Sequence, residues 1–278
     1  MVFEEGREMQ RLCLCYFSPC GNVKKIVTTI GEELAKQCRM EMFEFDFTLP
    51  ENRSREIYFD KEDLVLLGSP VYAGRIPNKI MPYIRDHIHG DGTQCVCIAA
   101  YGNRSFGDAL SELYLLAKGN GFVVVAAAAV VSEHSFASLL ASGRPNENDT
   151  KELLVFAEKI ANKLRSGDGS VSEVPGANPP GSYYTPLRRD GLPAKFLKAV
   201  PQTDLGKCRR CGVCHTVCPM GSVDKDHPEI TNGVCIKCQA CIYACKYKAR
   251  YFDDEDFLSH KQMLIENFKE QKENLLYL

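Results

Sequence analysis

The chain has no tryptophan, and it has no apolar run long enough to cross a bilayer. The longest, Phe122 to Val131, falls well short of the roughly 20 residues a membrane helix needs, and reads as a buried strand. Charge of one sign is also missing. The 34 Lys and Arg nearly cancel the 36 Asp and Glu, so the net of −2 gives no reason to expect nucleic acid or a membrane surface. No G-x-G-x-x-G follows a strand-like run, which excludes the dinucleotide fingerprint, and there is no P-loop, nucleophile elbow or H-E-x-x-H. Met1 to Gln10 is acidic and lacks the apolar stretch of an export signal, so a cytoplasmic, reducing compartment is expected.

Cysteine, by contrast, is abundant, with 14 residues in 278. Eight of them form two copies of one pattern: Cys208, Cys211, Cys214 and Cys218, then Cys235, Cys238, Cys241 and Cys245, each 27 residues after its counterpart. Zinc needs only paired C-x-x-C units, and a disulfide framework needs export. The third and fourth cysteines at repeated offsets instead suit two [4Fe-4S] clusters. Three thiolates of one run wrap one cube while the fourth crosses to the other cluster. Cys208, Cys211, Cys214 and Cys245 are therefore expected on one cluster, and Cys235, Cys238, Cys241 and Cys218 on the second. The runs resemble bacterial two-cluster ferredoxins, Pro219 included, with Lys246 standing where a second proline is usual.

Upstream, residues 10 to 165 alternate strand-like and helix-like periods. Strands are expected near Leu12–Phe17, Met40–Phe47, Leu64–Leu67, Cys95–Ala100 and Phe122–Val131. Between them lie amphipathic stretches such as Val23, Ile26, Val27, Ile30 and Leu34, and a closing helix is expected from Thr150 to Leu164. Apolar strands separated by such helices predict an α/β, doubly wound parallel sheet of five strands with a flavodoxin-like order. A small C-terminal α+β two-cluster domain would follow. The order brings three turn-rich segments to one sheet edge, where FMN is expected. Ser18, Pro19, Cys20, Gly21, Asn22 and Val23 run into a helix N-terminus that suits a phosphate. Pro70, Val71, Tyr72, Ala73 and Gly74, with Tyr101, Gly102, Asn103 and Arg104, would flank the ring.

Those loops, together with Arg75-Ile76-Pro77, Glu133-His134-Ser135 and the cysteine runs, resemble the flavodoxin-fused ferredoxins of anaerobes, the EFR1 family. The resemblance covers nearly the whole chain and implies FMN and two [4Fe-4S] clusters, without implying a substrate. The sequence departs from the usual phosphate loop at Pro19, which lacks an N–H donor, and at Val23, which lacks a hydroxyl. The expected division is a flavodoxin-like domain over 1–165, a Pro/Gly-rich linker over 166–202, a ferredoxin-like domain over 203–252 and a helical tail over 253–278. Tyr183, Tyr184, Leu187, Phe196 and Leu197 would anchor the linker. Phe257, Met263, Leu264 and Phe268 would form the packing face of the tail.

His134 is the candidate catalytic residue, placed after the fifth strand at the flavin edge. Arg75 and Arg104 could face a reduced flavin, and Tyr72 and Tyr101 could stack on it. Cys13, Cys15, Cys95 and Cys97 read as small core residues. The expected function is electron transfer between the clusters and FMN, with redox proteins such as a ferredoxin or an oxidoreductase as partners. The alternative is an FMN-dependent reductase fed by its own ferredoxin domain. A small-molecule acceptor and a homodimer remain open.

Overall fold

A computed structural model describes residues 11–167 and 169–278; the acidic segment Met1–Gln10 lies outside them. The chain runs through β1 (Arg11–Tyr16), α1 (Asn22–Cys38), β2 (Glu41–Asp46), β3 (Ile57–Phe59), β4 (Asp63–Pro70) and α2 (Met81–His87). It continues through β5 (Ile88–Gly90), β6 (Thr93–Tyr101), α3 (Ala109–Gly119), β7 (Phe122–Val131) and α4 (Glu147–Ser166). The main sheet has the order β2-β1-β4-β6-β7, every pairing parallel. This is the flavodoxin-like order, with its switch point between β1 and β4.

The strands are apolar on both faces because both faces are covered. On one side α1 and α4 bury Val23, Ile26, Ile30, Phe156 and Ile160 against Leu12, Leu14 and Leu66. On the other, Ile80 and Ile84 at α2 and Leu110 and Leu113 of α3 cover Cys13, Cys15, Val65 and Cys97. The four strand cysteines are fully buried small core residues. Ile88 follows α2 directly as the first residue of β5, which pairs with β3 in a separate two-stranded ribbon.

The linker lies along this domain as extended chain. Val171 and Val174 enter the core, the Tyr183 hydroxyl donates to the Ile76 carbonyl at 2.7 Å, and the Tyr184 N–H donates to the Ala73 carbonyl at 2.8 Å. Phe196 is buried as an anchor, but Leu197 is 90% exposed and anchors nothing. The reason is a turn here that points Phe196 inward and its neighbour out.

The cysteine-rich part repeats itself. β8 (Gln202–Thr203) pairs antiparallel with β9 (Arg250–Tyr251), and α5 (Val213–Thr216) and α6 (Ala240–Tyr243) occupy equivalent places in the two runs. The repeat extends to the backbone: Arg210 and Lys237 share positive φ of 49° and 58°, as do Gly221 and Lys248 at 59° and 51°. Non-glycine residues held in that region follow the loop geometry and not their own preference.

α7 (Glu255–Asn267) follows, started by Asp254, whose side chain accepts the Phe257 N–H at 2.8 Å. Its buried residues Met263 and Leu264 pack on Ala137 and Leu140, and Phe257 packs on Phe196 and Phe252. The expected tail was helical to its end. Instead the helix stops at Asn267, and β10 (Leu275–Tyr277) adds to the main sheet antiparallel to β7. The exposed edge of β7 supplies unpaired backbone groups there, and β10 satisfies them.

Candidate cofactor sites

The two cysteine quartets gather as the repeat predicts. Cys208, Cys211, Cys214 and Cys245 line one small cavity, and Cys218, Cys235, Cys238 and Cys241 line another. Each holds three cysteines from one run and the fourth from the other. Among the described residues no three His, Cys, Asp or Glu side chains converge closely enough to ligate a single metal ion. Two sets of four thiols supply one ligand for each thiolate-bound corner of two cubes.

Backbone N–H groups point at the sulfurs at matching positions in the two runs. Arg210 N–H reaches Cys208 Sγ and Lys237 N–H reaches Cys235 Sγ, both at 3.4 Å. Ser222 and Ala249 do the same for Cys218 and Cys245 at 3.3 Å. Such donors stabilise thiolate charge. Arg250 lines both cavities and is almost fully buried, with Nη1 donating to Thr203 Oγ1 at 2.7 Å and Nη2 standing 3.8 Å from Cys241 Sγ. Its Nε has no partner among the described residues. A buried guanidinium left partly unsatisfied between two sets of thiols fits a site built for negative charge.

A third cavity, of about 210 Å³, opens at the carboxyl ends of β1, β4 and β6. Ser18–Cys20, Asn22, Val23, Pro70–Gly74, Gly102 and Arg104 line it. Gly21, Tyr101 and Asn103, which the sequence also nominates, do not. Gly21 lies at the start of α1 with φ of 84°, outside the lining. Tyr101 ends a strand, so its side chain alternates to the opposite side of Gly102, into the core against Phe106. Its hydroxyl donates to the Glu273 carbonyl at 3.3 Å. Asn103 turns to the C-terminal segment, donating to the Phe268 and Glu270 carbonyls at 2.7 and 2.8 Å. Arg75 is likewise committed elsewhere, in a two-point ion pair with Glu112 at 2.8 and 2.6 Å.

The phosphate loop is partly self-capped. Ser18 Oγ accepts the Lys24 N–H at 2.9 Å, and the Ser18 N–H donates to Thr48 Oγ1 at 2.8 Å. The N–H groups of Cys20, Asn22 and Val23 have no acceptor among the described residues. Three unpartnered donors at the N-terminus of a long helix suit a phosphate dianion, despite Pro19 and the missing hydroxyl at Val23.

Several lining residues come from regions that sequence periodicity does not connect to the loops. Tyr184, Pro186 and Phe196 of the linker, Ile236–Cys238 of the second cysteine run, and His260 and Leu264 of α7 also line the cavity. Arg104 lies over the Tyr184 ring, 3.9 Å from its centroid. His134 packs against Gly102, where a Cβ would come within 2.6 Å of the imidazole. Its Nδ1 accepts the Phe136 N–H at 3.3 Å, which leaves the proton of the neutral ring on Nε2. Burial, with His260 and the Arg104 cation nearby, pushes the imidazole down to about 4. His260 is also shifted down by burial, with Nδ1 paired to the Leu187 carbonyl at 2.8 Å. Among the described residues no helix is long and apolar enough to cross a membrane.

Residues 201–251 match the 4Fe-4S dicluster domain family. The match covers the whole of both cysteine runs. No curated protein matches the chain. Among solved structures, a flavodoxin from the domain Archaea is 15% identical over 56% of this chain and 99% of its own, with a TM-score of 0.42. A Fusobacterium nucleatum flavodoxin variant bound to flavin mononucleotide is 17% identical over 57% of this chain and 98% of its own, with a TM-score of 0.37. Two-electron reduced Megasphaera elsdenii flavodoxin is 15% identical over 54% and 98%, at 0.34. The flavodoxin-like assignment rests on the strand order described above.

Proposed function

We propose that the chain is an electron-transfer flavoprotein of the flavodoxin-fused ferredoxin type, in which two [4Fe-4S] clusters and one FMN exchange electrons within a single chain. One observation carries the reading. Ile236, Lys237 and Cys238 line both the loop cavity and the cavity of the Cys218, Cys235, Cys238 and Cys241 quartet. The inner quartet therefore adjoins the proposed FMN site, and the quartet of Cys208, Cys211, Cys214 and Cys245 is the outer one.

The clusters and FMN, when bound, supply one-electron carriers and a carrier that accepts two electrons and releases them singly or together. The N–H groups of Cys20, Asn22 and Val23 would hold the phosphate, and Val71, Tyr72 and Gly102 would flank the ring. His134 offers its Nε2 proton to the cavity, and Arg104 supplies positive charge there. His260, Leu264 and Tyr184 add to the wall of the cavity.

The test is an iron, sulfide and flavin assay on anaerobically purified protein, with visible spectra before and after reduction. About eight irons and one FMN per chain are expected. Full iron without flavin would overturn the flavoprotein half of the reading.

A further inference from the structure

The outer cysteine quartet lies under a surface rich in Lys and Arg. Two stretches of its rim, 205–211 and 246–250, contain six Lys and Arg and no Asp or Glu, while the third, around Pro228, brings the exposed Asp226 and Glu229. Lys207, Arg209, Arg210, Lys246 and Lys248 are exposed, and Arg250 is the buried cation between the quartets. Lys207 pairs with Asp204 at 2.9 Å, but no carboxylate pairs with Arg209, Arg210, Lys246 or Lys248 among the described residues. This concentration stands out on a chain whose net charge is −2.

The same surface carries exposed apolar side chains among its cations. Leu205, Tyr247 and Tyr251 are 54%, 47% and 44% exposed, and Cys211 is the exposed cysteine of the quartet. Around the inner quartet the situation is reversed. Cys238 and Cys241 are buried, and the Fe–S side of the structure meets the loop cavity.

We propose that this basic rim with its exposed apolar side chains is the docking face for an acidic one-electron carrier protein, seated over the outer quartet. The inference rests on the cluster reading above and adds to it the chemistry of the partner and the place where it binds. Opposite charge steers two proteins into an encounter, and a small apolar contact lets the pair part quickly, which suits a carrier that must leave after each exchange. A low-potential ferredoxin or flavodoxin rich in Asp and Glu has the required surface. Unpaired exposed cations cost little to leave in water, so their grouping at this rim has no role in holding the fold.

The experiment titrates the full-length protein, purified anaerobically, with a small ferredoxin of strongly negative charge, and in parallel with cytochrome c, a basic carrier. Binding is read by calorimetry at low and at physiological salt. The ferredoxin should bind, weaken by about tenfold or more between the two salts, and lose about tenfold in affinity in Lys246→Glu/Lys248→Glu; cytochrome c should not bind. A second pair, Arg209→Glu/Arg210→Glu, should do the same, and unchanged iron and sulfide in either pair shows that the domain is intact. Ferredoxin binding that ignores both charge reversals would overturn the proposal. So would a single-stranded oligonucleotide that binds more tightly than the ferredoxin and is lost on reversal, or self-association in sedimentation that reversal abolishes. Iron and flavin are assayed on the same samples. Charge-dependent binding by flavin-free protein would sink the reading of the loop cavity and leave the docking face standing; full cofactors with charge-independent binding would sink the docking face alone.

Discussion

Cys20 donates its thiol proton to the carbonyl oxygen of Cys238, 2.8 Å away. One residue belongs to the loop that opens α1 and the other to the inner quartet, 218 positions along the chain. The contact joins the proposed phosphate loop directly to the backbone of a proposed cluster ligand. Two further bonds cross the same junction: Arg53 reaches the Pro219 carbonyl, and the Tyr243 hydroxyl donates to the Ser135 carbonyl at 2.8 Å. The thiol of Cys20 is enclosed there, and burial pushes its pKa up to about 12. It serves as a neutral donor and not as an exposed reactive thiol.

The crossed quartets give a paired prediction. Cys245→Ala should remove the outer cluster and Cys218→Ala the inner one, each lowering iron from about eight to about four per chain. Low-temperature EPR of the reduced proteins should then show a different remaining signal in each. Identical spectra from the two variants would contradict the crossing.

Two glycines test the loop cavity by different physics. Alanine at Gly102 would place a Cβ 2.6 Å from the His134 ring and 2.9 Å from its Cα, so Gly102→Ala should lower flavin occupancy and cost about 1–3 kcal/mol of stability by overpacking. At Gly21 nothing lies within 4 Å of a Cβ, and the constraint is the φ of 84°. Gly21→Val should cost about 1–2 kcal/mol through backbone strain and lower flavin occupancy, whereas Gly21→Asn, which tolerates that conformation, should retain most of it. Flavin absorbance per chain checks both, and equal occupancy in the valine and asparagine variants would refute the strain argument.

His134 predicts a pH dependence. Its folded-state pKa is lowered to about 4 from the ordinary 6.5, so the unfolded chain binds a proton that the folded one refuses between those values. Stability should therefore be unpenalised above pH 6.5 and fall as pH drops toward 4, by about 2 kcal/mol at pH 5 from this group. His134→Gln should remove that part of the slope. The difference in urea midpoint between the two proteins, compared at pH 7 and pH 5, measures it; a difference that does not change with pH would remove His134 as the cause.

Asn103 holds the segment between α7 and β10 with three hydrogen bonds, two to carbonyls and one from the Lys272 N–H at 3.2 Å. Its φ of 65° turns the side chain toward that segment. Asn103→Ala should cost about 1–3 kcal/mol, because three hydrogen bonds of about 1 kcal/mol each are lost from a buried side chain. Hydrogen exchange should rise over 268–277 before it rises in β6 or β7. Uniform exchange across both regions would place the effect in the sheet instead.

The elements legible in the sequence were those with a long or repeated signal. The run from Phe122 to Val131 is β7 to the residue, and the 27-residue offset of the cysteines divides them into the two sets of four that line separate cavities. Phe257, Met263 and Leu264 declared the buried side of α7. What escaped was short or depended on distant partners. β3, β5 and β10 have three residues each, too few for a period to register. Tyr101 and Asn103 stand on either side of the cavity-lining Gly102, yet strand alternation and the C-terminal segment turn both away from the cavity. His260 and Tyr184 were invisible as cavity residues because nothing local says that α7 and the linker return over β1 and β4.

β10 has a consequence for the architecture of the chain. The main sheet begins with β1 and is completed only by Leu275–Tyr277, after the whole cysteine-rich part has been threaded. The iron–sulfur module is thus an insertion into the flavodoxin-like unit and not an appendage to it. Cutting the connection after α4 would not release two self-sufficient proteins, since the severed module would carry away the last strand of its host.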